Sequence, residues 1–321
     1  MKLKLLVIAL LFMVVGCSSQ TGSFPQKNVE LVVPSSAGGG NDRLLRAVQD
    51  TLTKEELMEQ NIIVANKSGG GGEVAWQHIK KQKDGHSVGL TTSLLLTNYL
   101  RDKSDLSYED LTPIVTLASE WLVLAVNAES GLESLEEVFD QLRENPKSLK
   151  LAFGPSLGGD HHLLFLQAAQ MSGIDPSELD IVVYEGGGEV TNALLGGHVN
   201  VVTHGVAALA EHHEVGSVNI LAVSSSERIE ELPEVPTFKE AGIDLEFPHW
   251  RGIVGPPNMS EEEVKYWEDK FAEMVETETW RTFLKNTGMS NYYKNSAETK
   301  EFLEQQNDNA RELLQSAKLI D

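Results

Sequence analysis

Three kinds of chemistry can be read from residue types and spacing in this 321-residue chain. Gly154-Pro155-Ser156-Leu157-Gly158 carries the Gly-x-Ser-x-Gly spacing of a nucleophile elbow between a strand-like and a helix-like run. On that reading Ser156 attacks, His249 or His204 takes its proton, and Asp180 or Asp244 orients the imidazole. Pro155 stands directly before the nucleophile, and so short a pattern arises readily in a glycine-rich loop. A hydroxyl offered to a bound ligand is the better reading of Ser156. The nine histidines, with His161-His162 and His212-His213 adjacent, raise a metal-binding lipoprotein as a further alternative. No His-Glu-x-x-His or Cys/His ligand spacing occurs, and adjacent residues on a helix point about 100° apart. His162 and His204, near strand ends, read either as hydrogen-bonding groups in a cleft or as satisfied structural histidines.

The third chemistry is anion binding by backbone. Val32-Val33-Pro34 runs into Ser35-Ser36-Ala37-Gly38-Gly39-Gly40, and a helix-like segment opens at Asn41-Asp42. A strand that turns through glycines into a helix aims several N–H groups at one point, where the helix dipole adds about half a positive charge. The device recurs at Ser68–Gly72, at Gly154–Gly159 (with Leu157, Gly158 and Gly159) and at Glu185–Gly188, which includes Gly187. One such loop is a weak signal. Several at equivalent strand ends are stronger, because ligands in open α/β sheets sit beyond the carboxyl ends of the strands. Asn66 and Ser93, at two further strand ends, are candidate contacts for the same reason. Asp42 reads either as a first-turn carboxylate favoured by the dipole or as a shaper of the ligand loop. Arg251, after Trp250, reads as a bidentate carboxylate clamp or as a surface residue.

The elements that must position these residues alternate. Strands are expected at 28–34, 62–66, 87–92, 149–154, 180–184, 199–204, 218–223 and 250–255. Helices are expected at 41–57, 73–82, 134–145, 159–173, 188–196, 260–276, 280–286 and 296–318, with a helical stretch between the strands at 199 and 218. Ser134…Glu137 and Ser260…Glu263 have capping-box spacing, and Thr237…Glu240 adds another after Pro236. Strands alternating with helices predict parallel βαβ units. Two close apolar runs, 114–118 and 121–127, mark a crossover between lobes.

A net charge of −22 without a basic stripe excludes nucleic-acid binding. It does not exclude an anionic ligand, since surface charge is screened within about 8–10 Å while cleft dipoles act locally. Lys2 and Lys4 precede the apolar run 5–15, which is too short to span a bilayer but suits a signal peptide over residues 1–16. Val14-Val15-Gly16-Cys17 has the form of a bacterial lipobox. Cys17, the single cysteine, is the expected lipidation site, followed by a tether over 17–26. The expected location is the extracytoplasmic face of the cell membrane.

Read in order, these segments resemble the substrate-binding proteins of tripartite tricarboxylate transporters, the Bug family. Val33–Asp42 is similar to that family's Val-Pro-x-x-Pro-Gly-Gly-x-x-Asp signature, with Ala37 in place of the second proline. Val64–Gly72, Gly154–Leu163, Tyr184–Gly197, Pro233–Gly242 and Trp250-Arg251-Gly252 continue the match across nearly the whole chain after the leader. Asp160-His161-His162 stands where an Asp-His pair is expected, which leaves open which histidine faces the cleft. The resemblance implies an α/β, class II periplasmic-binding-protein-like fold: two α/β lobes with mixed and parallel sheets around a central cleft. The first lobe would be 27–122 plus 245–321 and the second 123–244. It implies a monomeric receptor, without catalysis, cofactor or metal, that passes a small organic carboxylate to a two-component membrane permease. The loops Ser36–Asp42 and Ser156–His162 would grip one carboxylate from opposite sides.

Overall fold

The computed structural model describes residues 24–321, so the leader, Cys17 and most of the tether lie outside the described residues. Three parallel strands come first: β1 (Val29–Val33), β2 (Ile62–Asn66) and β3 (Ser87–Thr91), ordered β2-β1-β3. The helices α1 (Gly40–Lys54) and α2 (Glu73–Lys80) make the crossovers between them, as alternating β-branched runs and amphipathic segments require. A helix α3 (Ser93–Leu100), not expected from the sequence, follows β3; its uniformly apolar Leu94-Leu95-Leu96 has no one-sided stripe to reveal it.

The organising element is β4 (Thr112–Asn127), sixteen residues long. The two apolar runs expected on either side of a break form one continuous strand. Its irregularity is taken up by register shifts at 113/115, 116/118 and 124/125. Through Trp121 it pairs antiparallel with β9 (Pro248–Gly255) and β10 (Met289–Lys294). From Leu122 onward it pairs with β7 (Val201–Gly205) and β8 (Val218–Val223). The chain therefore passes from one half of the molecule to the other without leaving the strand. In the second half β5 (Lys150–Phe153) lies parallel between β6 (Asp180–Val183) and β7. The helices α4 (Leu135–Glu144), α5 (Asp160–Met171), α6 (Gly187–Leu195) and α7 (Val206–Glu214) flank this half. Strand β10 also escapes sequence reading, because Met289-Ser-Asn-Tyr-Tyr-Lys is short and half polar. The Thr237…Glu240 box does form, with bonds of 3.1 and 2.9 Å, but it caps a turn rather than a helix.

Each half has its own core. Val29, Leu31, Leu44, Leu90, Trp267 and Phe271 are fully buried in one, under α8 (Glu261–Val275) and α9 (Glu278–Thr287). Leu122, Leu124, Phe139, Leu164, Phe165 and Val201 belong to the other. The last helix, α10 (Ser296–Ser316), serves both: Phe302 and Leu303 pack on Trp250, while Ala310, Leu313 and Leu314 join the second core. The two passages between halves are tied by one side chain. Buried Ser224 accepts from the Leu122 N–H at 3.0 Å and donates to the Phe247 carbonyl at 2.8 Å. Its own backbone bonds Leu122 and Phe247 as well.

Candidate functional site

Two glycine loops have the same internal construction. In Ser36–Asp42 the N–H of Gly38 (φ +84°) donates to Asp42 Oδ2 at 2.8 Å. In Ser156–His162 the N–H of Gly158 (φ +76°) donates to His162 Nδ1 at 3.0 Å. Both glycines sit in the left-handed region, where a side chain is strained. Gly39 and Gly159 then cap α1 and α5 in extended conformation, and neither helix start receives a side-chain hydrogen bond. The residue four places after the left-handed glycine is thus a brace inside the loop. The one before it, Asn41 or His161, is turned toward the space between the halves and lines a cavity of about 510 Å³.

This pairing decides between the alternative readings of two residues. Asp42 is buried; its carboxylate holds Gly38, Arg46 and Asn66, and it does not line the cavity. His162 is buried against Phe153, with ring centroids 4.5 Å apart, and it too lies behind its loop. His161, not His162, faces the cleft. The Arg46 guanidinium, with help from the Gly38 N–H and Asn66, holds the Asp42 carboxyl down at about 2. A carboxyl depressed on folding stabilises the fold above its unfolded pKa of about 3.9 and loses that contribution as pH falls through its folded value. Acid unfolding between about pH 4 and pH 2 should therefore be steeper in the wild type than in Asp42→Asn. Urea titrations at stepped pH measure the difference, and parallel curves would show that Asp42 contributes nothing there.

The cavity collects helix starts. Among the described helices, α3, α4, α8, α9 and α10 are capped by a Thr, Ser or Asn side chain. The other five begin at glycine with no side-chain cap, and four of these, α1, α5, α6 and α7, contribute lining residues: Gly40 and Asn41, His161, Gly187, and Ala207 and Ala208. Uncapped N–H groups at four convergent termini make a strongly anion-favouring concavity. Two lining residues, Ser35 and His161, carry buried polar atoms (Oγ and Nδ1) with no hydrogen-bond partner among the described residues. Such atoms call for a partner that the protein does not supply.

Arg251 also lines the cavity, but it is not a free clamp. Its Nε donates to Asn41 Oδ1 at 2.8 Å, and Nη1 donates to the carbonyls of His249 and Trp250 at 2.9 and 3.1 Å. Nη2 meets His249 Nε2 at 2.7 Å. Arginine only donates, so His249 Nε2 accepts and its proton sits on Nδ1, bonded to the buried carboxylate of Asp160. Asn41, Arg251, His249 and Asp160 thus form one chain of bonds joining the start of α1 in one half to the start of α5 in the other. Four of the five guanidinium N–H groups are spent within the protein, leaving one for a ligand.

His204 is likewise committed. Its Nε2–H donates to the Gly187 carbonyl at 3.1 Å and its Nδ1 accepts from the Gly205 N–H at 2.8 Å, so it fastens the starts of α6 and α7. Burial pushes the His161 imidazole well below its usual range, aided by His249, His204 and Arg251 nearby. Burial also lowers His204, and burial plus the Arg101 charge brings His162 to about 3. All three are neutral at physiological pH.

The remaining candidates divide by position. Gly39, Gly40, Asn41, Gly187, His204 and Arg251 line the cavity. Ser36, Ala37 and Gly38 shape the first loop without lining it, and Leu157, Gly158 and Gly159 do the same in the second. The Leu157 carbonyl accepts from Arg101, a residue of the opposite half. Asn66 is a brace, donating to Asp42 Oδ1 at 2.9 Å and the Ser35 carbonyl at 3.1 Å. Ser93 is buried at the start of α3, outside the cavity. The Ser68–Gly72 loop is also outside it, held to α3 by Asn98. Ser156 Oγ touches no histidine: His204 and His249 are bonded elsewhere, and Asp244 pairs with Lys239 at the surface. No cluster of three or more His, Cys, Asp or Glu among the described residues is placed to hold a metal. Sequence reasoning missed Glu120, Arg43 and Thr203 as lining residues and left His161 open beside His162. The parallel between Asn41 and His161 within their loops was the available signal.

A second cavity, about 620 Å³, lies on the outer side of the second half. Its charged lining is Glu133, Glu136, Glu234 and Glu240 with His213, so it is acidic where the cleft presents helix starts.

Residues 44–319 match the model of the tripartite tricarboxylate transporter family receptor. A UPF0065 protein from the gbd 5′ region of Cupriavidus necator is 30% identical over 287 residues, covering 88% of this chain and 85% of its own. A TctC solute-binding protein from Polaromonas superposes with a TM-score of 0.78 at 26% identity, over 91% of this chain and 99% of that one. An R. palustris protein solved with adipate gives a TM-score of 0.77 at 24% identity, over 92% and 99%. The periplasmic binding protein BugD shares the fold as well, with a TM-score of 0.74 at 21% identity.

Proposed function

Since the chain belongs to the tripartite tricarboxylate transporter receptor family, we propose that it captures a small organic carboxylate in the cleft and hands it to a two-component membrane permease. In this reading Cys17 carries a lipid that holds the receptor on the extracytoplasmic face; no described helix is long and apolar enough to cross a membrane. The observation that carries the proposal is the convergence of four uncapped helix starts on one cavity, with two buried polar atoms there lacking partners. A carboxylate supplies the negative charge and acceptor lone pairs that such a site lacks. Adipate in a structural neighbour supports the class of ligand without fixing its length.

The lobes we assign are 27–122 with 245–321 and 123–244, the end of α10 resting on the second. Closure is a hinge motion at the Leu122, Ser224 and Phe247 knot, carrying the Arg251 and His249 chain toward or away from Asp160. The test is a thermal-shift screen of mono-, di- and tricarboxylates on the full chain in detergent. A ligand that binds only the folded state adds about 2.7 kcal/mol at a hundred times its Kd, so a true hit raises the midpoint progressively with concentration. If no carboxylate moves the midpoint at millimolar concentration, the proposal fails.

A further inference from the structure

Glu120 is out of character with the rest of the cleft. It lies on β4, two residues before Leu122, where the strand changes partners, and opposite His249 in the β9 register. Its carboxylate lines the cavity and its side chain is 22% exposed. The cation facing it is Arg251, whose Nη2 stands 3.9 Å away, beyond hydrogen-bond reach. Four of the five Arg251 N–H groups are taken by Asn41, His249 and Trp250. No described residue donates a hydrogen bond to the Glu120 carboxylate, so a group that only accepts is left open in a cavity whose other polar walls mainly donate. On the far side, a Cβ at Gly205 would overlap the Glu120 carboxylate, so the glycine that caps α7 also leaves the room this carboxylate occupies.

The geometry points to Glu120 as the specificity-determining residue of the cleft, selecting carboxylates that also carry a hydrogen-bond donor, an ammonium or hydroxyl group, over plain dicarboxylates. This inference rests on the carboxylate-receptor reading and narrows it. A plain dicarboxylate brings only acceptors; it satisfies the helix starts and then sets like charge against Glu120. A ligand with a donor beside one carboxylate meets both kinds of wall at once. A site built around a hydrogen bond to a ligand O–H or N–H discriminates strongly against an analogue lacking it, because its own buried group is left unpaired. The ammonium form gains most, being attracted by the full charge of Glu120 as well as by its lone pairs.

Calorimetric affinities of the full chain for succinate, malate and aspartate, and for adipate against 2-aminoadipate, test this at matched chain lengths. In the wild type the donor-bearing member of a series should bind at least tenfold tighter than the plain one. In Glu120→Gln, which keeps the shape and removes the charge, the ammonium advantage should fall tenfold or more while the plain dicarboxylate binds more tightly than before. That change of sign is something a residue serving only as a counter-ion for Arg251 would not produce. Equal or tighter wild-type binding of the plain dicarboxylates, or a uniform weakening of every ligand by Glu120→Gln, overturns the inference and leaves the receptor reading intact. Failure of every carboxylate to bind overturns both.

Discussion

Arg251→Met should destabilise the protein by about 3–5 kcal/mol, the cost of removing one member of a buried, hydrogen-bonded charge network. Arg251 is 6% exposed and supplies four hydrogen bonds. Methionine of similar length fills the space but donates nothing. Asn41 Oδ1, His249 Nε2 and two backbone carbonyls are then left without a donor, and Glu120 loses its facing cation. Loss of the His249 contact also frees that ring from the tautomer that reaches Asp160. The stability cost reads out as a lower urea midpoint. The connection between the two lobes reads out separately, as a loss of the carboxylate-induced thermal shift. Arg251→Lys should recover little, since an ammonium cannot span four acceptors that a planar fork reaches together. A variant within 1 kcal/mol of wild type would mean the chain of bonds contributes nothing to the fold.

Gly187→Ala should weaken carboxylate binding by about 10- to 150-fold, the equivalent of one lost hydrogen bond to a charged group. A Cβ at Gly187 would lie 2.7 Å from His204 Nε2 and 2.8 Å from its Cε1. A surface side chain would turn away at small cost. His204 cannot, because one nitrogen holds the Gly187 carbonyl and the other the Gly205 N–H. The methyl group therefore displaces the start of α6, of α7, or of both, and takes their N–H groups off the ligand. Gly188→Ala is the matched control. It lies one residue further into the same helix with nothing within 4 Å of its Cβ, so it should leave affinity within about twofold and gain up to about 1 kcal/mol of helix propensity. Equal effects of the two substitutions on affinity would show that the start of α6 does not hold the ligand.

The contrast between these neighbouring glycines shows how much of the site is written locally. That Glu185–Gly188 opens a helix is legible from composition. That Gly187 has no room for a methyl group depends on His204, seventeen residues away on β7. The same holds for the histidines. A helix starting after Gly159 could be read from the chain, whereas its rotation could not. Adjacent residues point about 100° apart, and which of them turned inward was decided by Phe153 stacking on His162 and by the Gly158 N–H needing an acceptor four residues on. With His162 taken up in that way, His161 lines the cleft.

By itself the sequence determined the alternation of strands and helices, the glycine loops at strand ends, the side-chain caps on Ser134 and Ser260, and the family, all of which depend on neighbours within a few positions. Tertiary structure alone decided that the two apolar runs around residue 120 are one strand shared by both lobes, and that Arg251 is tied to Asn41 and His249 rather than free. It also decided that Glu120 lines the cleft with Arg251 3.9 Å away and no hydrogen bond to its carboxylate among the described residues. The physical reason is the same in each case. Turns and caps are short-range hydrogen-bond problems that a few consecutive residues solve, whereas the partner of a buried charge is set by which strands lie side by side, and for Asn41 and Arg251 that means groups 210 residues apart.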